Sequence, residues 1–169
     1  MANIRISIIY HSETGNTKKM AEVISEGAKL SGKAEVKLMS IDDVDAAFVE
    51  SSHAIIIGSP THRGTFSWQM KKWLGTTKLK VAGKLGSVFV TEGYIGGGAD
   101  VAEMGLIGHL LVMGMLVYSA GTSQGQPITH YGAVAIKEGD EAQKERARIF
   151  GERIAGKAWE LFGKNCCRP

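Results

Sequence analysis

Ser12, Thr14, Gly15, Asn16 and Thr17 stand together in the stretch YHSETGNTKKM, directly behind the apolar run NIRISIIY. Hydroxyls, an amide and a glycine at a strand-to-helix boundary suit the binding of an anion. The first N–H groups of a helix lack intrahelical partners, and the helix dipole adds partial positive charge there. Gly15 lets the backbone come close to a ligand. The side chains add donors without net charge, so a phosphate can be held with no Lys or Arg in contact. The plainer alternative is that Thr14 or Asn16 caps the helix. The pattern has neither the Gly-Lys pair of a nucleoside-triphosphate loop nor the spaced glycines of a dinucleotide-binding turn.

Two further clusters carry chemistry. GSPTHRGTFSW, at 58–68, supplies Pro60, Thr61, His62, Arg63 and Gly64. Pro60 stiffens the strand exit, Gly64 gives the backbone freedom, and Arg63 can meet a planar ligand or its anionic edge. TEGYIGGGAD, at 91–100, supplies Thr91, Glu92, Gly93, Tyr94 and Gly97. An aromatic ahead of three glycines suits a ring that must stack while the backbone curls around it. Each cluster also has an ordinary reading: a solvated cation, a polar loop contact, a surface aromatic beside a turn. Their joint placement describes a flat, phosphorylated ligand.

Such loops need a frame that brings them to one edge. Strand-like runs fall at 3–10, 34–40, 53–59, 84–92 and 115–120. Helix-like stretches fall at 17–30, 43–51, 66–75, 99–113 and 140–162, with Asp140 and Glu141 favouring the start of the last. Five strands alternating with helices predict an α/β fold: a parallel sheet covered on both faces. In such sheets ligands bind outside the carboxyl ends of the strands, which is where all three clusters lie. The expected organisation is one domain over 1–165 and a short tail, 166–169.

Composition narrows the function. The 169 residues are 44% hydrophobic and 22% charged, with net charge +3 and no dominant Lys/Arg block, so nucleic acid is not an expected partner. The most apolar stretch, 104–118, is too short to span a bilayer and carries His109, and the N-terminus lacks a signal-peptide pattern, so a soluble cytoplasmic protein is expected. Cys166 and Cys167 are adjacent near the C-terminus and read as tail thiols; no His/Cys spacing suggests a metal. His53, His109 and His130 read as structural, and Trp68, Trp73 and Trp159 as core or interface residues.

With these motifs in hand, the sequence resembles the flavodoxin-like superfamily. SETGNT resembles that family's FMN phosphate loop. GSPTHRGTFSWQMKKWL, VFVTEGYIGGGAD and QPITHYGAVAI resemble the matching segments of WrbA-type NAD(P)H:quinone oxidoreductases. The resemblance implies a three-layer sandwich with a five-stranded sheet of order 2-1-3-4-5. It implies FMN, with the phosphate on Ser12, Thr14, Gly15, Asn16 and Thr17. Pro60, Thr61, His62, Arg63 and Gly64 would line one side of the ring, and Thr91, Glu92, Gly93, Tyr94 and Gly97 the other. WrbA-type relatives assemble as homo-oligomers.

Two activities follow from the resemblance. One is an NAD(P)H-dependent oxidoreductase, with NADH or NADPH as donor and a quinone-like small molecule as acceptor. The flavin carries that chemistry, so no catalytic side chain is required. The other is a flavodoxin-type electron carrier serving redox proteins. Carriers of this family are typically acidic near the cofactor. Net basic charge, with His62 and Arg63 expected beside the ring, favours the reductase, because a cation stabilises the anionic reduced flavin. A phosphoacceptor module of similar strand order would need acids at the strand ends, where this chain has Tyr10 and His11.

Overall fold

Apolar side chains on both faces of a strand need cover on both sides, and β1 (Ile4–Tyr10) has them. In this computed structural model, which describes residues 4–163, β1 is an interior strand, paired with β2 on one side and β3 on the other. The two cysteines lie outside the described residues. After β1 come α1 (Asn16–Lys29), β2 (Ala34–Ser40), α2 (Ala46–Ser51), β3 (Ala54–His62), β4 (Thr65–Phe66) and α3 (Trp68–Thr76). Then follow β5 (Leu85–Glu92), α4 (Ala99–Val112), β6 (Leu116–Val117), β7 (Ala133–Ile136) and α5 (Glu141–Ala158). A 3₁₀ turn covers Thr122–Gln124, and a π-helical turn, Trp159–Gly163, ends the described chain.

The sheet runs β2-β1-β3-β5, with the next position shared by β6 and β7. This is the expected parallel order, with seven strands instead of five. The difference at the edge is a split. β6 pairs with Leu85 and Gly86 of β5, and β7 pairs with Phe89 to Glu92. Residues 118–132 loop out between them. The mouth of the loop is tied by Thr129 Oγ1 donating to the Ser119 carbonyl at 2.7 Å and by Ser119 Oγ donating to the His130 carbonyl at 2.9 Å. Arg153 of α5 donates to the carbonyls of Gln124, Gln126 and Pro127 at 3.0, 2.9 and 2.7 Å.

Alternation along the strands sorts the core into two layers. Ile4, Ile6, Ile8, Ile56 and Phe89 pack against Met20, Ile24, Phe150 and Ile154 of α1 and α5. Ile55, Ile57, Val88 and Val90 pack against Met70 and Leu74 of α3 and Leu106 and Leu110 of α4. α1 and α5 approach closely through two glycines. A Cβ on Gly27 would lie 1.8 Å from the Arg148 carbonyl oxygen, and one on Gly151 would lie 2.1 Å from that of Ile24. This contact fixes the direction of α1, whose N-terminus carries the first cluster. Asp140 and Gln143 form a reciprocal cap at the start of α5, as Asp140 led one to expect. No described helix is long and apolar enough to cross a membrane.

Candidate functional site

The first cluster occupies the turn between β1 and α1. α1 opens on Gly15, held at φ 91 in the left-handed region, and no N-cap side chain closes the helix start. The alternative, a cap from the side chain of Thr14 or Asn16, is therefore not formed. Ser12 takes part of that role: its Oγ accepts from Lys18 N at 3.3 Å. Helix geometry leaves the first-turn N–H groups without intrahelical acceptors. Thr14, Asn16 and Thr17 line an open cleft of about 250 Å³, with Glu13 beside them.

The second cluster is not a loop. β3 runs on through Pro60, Thr61 and His62, then turns back into β4, with Thr61 opposite Phe66 and His62 opposite Thr65. Arg63 and Gly64 are the two turn residues, at φ 50 and 84. Two positive φ values are what a two-residue hairpin turn matching strand twist requires. The hairpin therefore presents Pro60, Thr61 and His62 to the cleft from a paired strand. It carries Arg63 and Gly64 out to its tip; neither lines the cleft. At that tip a Cβ on Gly98 would come within 2.6 Å of Gly64, so the hairpin seats against the third cluster. Phe66, expected in a helix, belongs to β4, and α3 starts only after Ser67.

The third cluster follows β5. Thr91, Glu92 and Gly93 line the cleft. Thr91 Oγ1 lies 2.7 Å from Thr17 Oγ1, a buried bond joining the first and third clusters. Glu92 Oε2 accepts from Ala99 N at 3.2 Å and so closes the start of α4. Gly97 N donates to the Tyr94 carbonyl at 3.0 Å in the intervening turn. Tyr94 is 71% exposed and stands outside the cleft lining. It is a rim residue in this arrangement.

Under the cleft lies a buried polar network. Ser67 N donates to Ser59 Oγ at 3.0 Å, His11 Nδ1 sits 2.9 Å from Ser67 Oγ, and Ser67 Oγ accepts from Met70 N at 3.3 Å to cap α3. Burial holds the His11 imidazole below its ordinary value, with nearby Glu13 pulling the other way. Glu13 accepts from Gln69 Nε2 at 2.6 Å and lies 3.5 Å from His62 Nε2. Glu13 was not among the residues singled out from sequence, although it lies inside SETGNT. Among the described residues the cleft thus carries two carboxylates, Glu13 and Glu92, and no Lys or Arg in its lining.

Chemically, this is a neutral donor set at a helix N-terminus, opening onto a slot between two strand ends. An anionic head fits the first part and a flat body the second. Replacing Thr14 or Asn16 by Ala should weaken a bound phosphate about tenfold each, since a hydrogen bond to a charged acceptor contributes roughly 1.5–3 kcal/mol. Cofactor retention on gel filtration, followed by fluorescence titration, measures it. Unchanged retention in both would leave the turn with no anion role.

A family model described as flavodoxin matches residues 8–93. A flavodoxin from Clostridium saccharobutylicum is 48% identical over 160 residues, spanning 94% of this chain and 100% of the relative. An NAD(P)H dehydrogenase (quinone) from Archaeoglobus fulgidus is 28% identical, over 93% of this chain and 98% of its own length. Among solved structures, a WrbA-like flavodoxin protein from Agrobacterium tumefaciens matches with TM-score 0.76 and 26% identity, over 94% of this chain and 99% of that one.

Proposed function

The chain belongs to the flavodoxin family, and from that membership we propose that it is an electron carrier shuttling between redox proteins. Family membership makes it an FMN-binding redox protein. When bound, the flavin supplies the redox chemistry. The donor set described above fits that cofactor. The first-turn N–H groups of α1, with Thr14, Asn16 and Thr17, would hold the phosphate. Pro60, Thr61 and His62 would face the ring from one side, and Thr91, Glu92 and Gly93 from the other. The Thr17–Thr91 bond keeps the phosphate end and the ring end in fixed register.

The observation that carries the proposal is the charge of the cleft. Sequence alone favoured a reductase because His62 and Arg63 were expected beside the ring. Arg63 is a turn residue at the hairpin tip, and His62 is faced by Glu13. The charges lining the cleft are Glu13 and Glu92. A carboxylate near the ring opposes added negative charge by on the order of 1 kcal/mol or more at partial burial. That suits a carrier which gives electrons up readily. The second reading, an NAD(P)H-dependent quinone reductase, is favoured by the quinone dehydrogenase relatives, which match this chain nearly end to end.

The two readings separate in one assay. Purified holoprotein mixed with NADH or NADPH and a benzoquinone should oxidise the nucleotide no faster than free FMN does. The same protein, reduced chemically, should pass electrons to a redox protein acceptor. Sustained nucleotide oxidation that depends on the protein would reverse the assignment.

A further inference from the structure

Glu103 lies one turn into α4, on the stripe that runs through Ala99, Leu106 and Leu110 into the core. It is only 2% exposed, and its Oε1 has no hydrogen-bond partner. The carboxyl is pressed against the segment that rejoins the sheet: a Cβ on Gly132 would lie 2.6 Å from Oε1. Burying an unpaired carboxylate is expensive, so the group is held neutral. Burial, then Asp100, then Glu92 push its pKa up to about 8.

The groups around it fall in two sets. Asp100, on its own helix, and Glu92, at the end of β5, are acids. Arg146 of α5, with His130 and Tyr131 of the inserted segment, lines the adjoining cavity of about 280 Å³. Arg146 Nε is itself without a partner. Glu92 has two attachments. It lines the cofactor cleft, and it holds the first N–H of α4. An added negative charge at Glu103 would be repelled by Asp100 and Glu92, the two acids that act on it. Repulsion of Glu92 would weaken its hold on the first N–H of α4, and with it the seat of the adjoining 93–98 loop beside the cleft.

We infer that Glu103 is a positioning residue for the cofactor site, acting through Glu92: neutral, it seats the 93–98 loop; ionised, it loosens that loop and the grip on FMN. The inference rests on the FMN reading given above and extends it to a residue outside the cleft.

The test compares the parent protein with Glu103→Gln and with Glu103→Leu, which both lack the titrating group. FMN dissociation constants are measured from pH 6 to 9.5 by fluorescence. In parallel, the amide signals of Gly96, Gly97 and Gly98 are followed by NMR in the cofactor-free proteins. The parent should bind FMN about tenfold more weakly at pH 9 than at pH 7, beyond any pH trend shared with the variants. Its loop amides should titrate over the same range, and both effects should vanish in the variants. An identical pH profile in parent and variants, in binding and in the amide signals, would overturn the inference. Failure of all three to bind FMN at any pH would instead overturn the cofactor reading, and the amide signals would still decide whether Glu103 controls the loop.

Discussion

Gly151→Ala should lower the unfolding free energy by about 2–3 kcal/mol, seen as a lower urea midpoint at unchanged slope. The new methyl would meet the Ile24 carbonyl at 2.1 Å and Ala28 N at 3.0 Å, both backbone atoms of α1. Backbone cannot rotate aside as a side chain can, so the two helices must separate. Gly27→Ala should behave alike, because its methyl would meet the Arg148 carbonyl at 1.8 Å. Gly156→Ala, in the same helix α5 but with open space around it, should gain up to ~1 kcal/mol from helix propensity. Equal losses at positions 151 and 156 would show that the close approach is not what matters. A separated helix pair also shifts the start of α1, so Gly151→Ala should loosen FMN although residue 151 is remote from the cleft.

The sheet order and the gathering of three clusters at one edge were legible because they rest on local signals. Continuous apolar runs such as HAIIIGS mark buried parallel strands, and hydroxyl-rich turns mark helix starts. The edge strand was not legible. The stretch 115–120 reads as a single fifth strand, whereas only Leu116–Val117 pairs there; that Ala133–Ile136 joins the same β5 further along is a non-local fact. The hairpin at 61–66 had a readable signal that loop chemistry masked. Arg-Gly between Thr-His and Thr-Phe fits a two-residue turn, yet arginine is an uncommon residue at positive φ. Read as a loop, the segment leaves the direction of Arg63 open; paired as a hairpin, it carries Arg63 to the tip. Glu13 and Glu103 were missed for opposite reasons. Glu13 is an acid in a turn read for neutral anion donors, so it carried no signal for that chemistry. Glu103 lies at helical spacing with Ala99, Leu106 and Leu110, and an acid on an apolar stripe is a signal that periodicity could have raised.

Glu103 also sets the pH dependence of stability, with a definite sign. Its carboxyl titrates near 8 in the fold and near 4.5 when the chain is unfolded and solvated. Between those values the folded state binds the extra proton. Stability from this group is therefore complete below about pH 4.5 and is lost as pH rises toward 8. The accumulated loss is on the order of 4 kcal/mol by pH 8, at about 1.4 kcal/mol per unit. His11 acts in the opposite sense. Its folded value is lowered, so it adds stability above its ordinary range and withdraws it as pH falls through that range. Denaturant titrations of Glu103→Gln from pH 5 to 9 should leave the acid limb set by His11 in place and remove the decline toward pH 8. At pH 8 the variant should then be more stable than the parent by a few kcal/mol. Parallel curves for the two proteins would mean that Glu103 is ionised and compensated in the fold, with Arg146, which lines the same cavity, the candidate partner. An equal-volume amide that is more stable than the native acid would mark Glu103 as a residue kept at the expense of stability, as expected of one that serves the site.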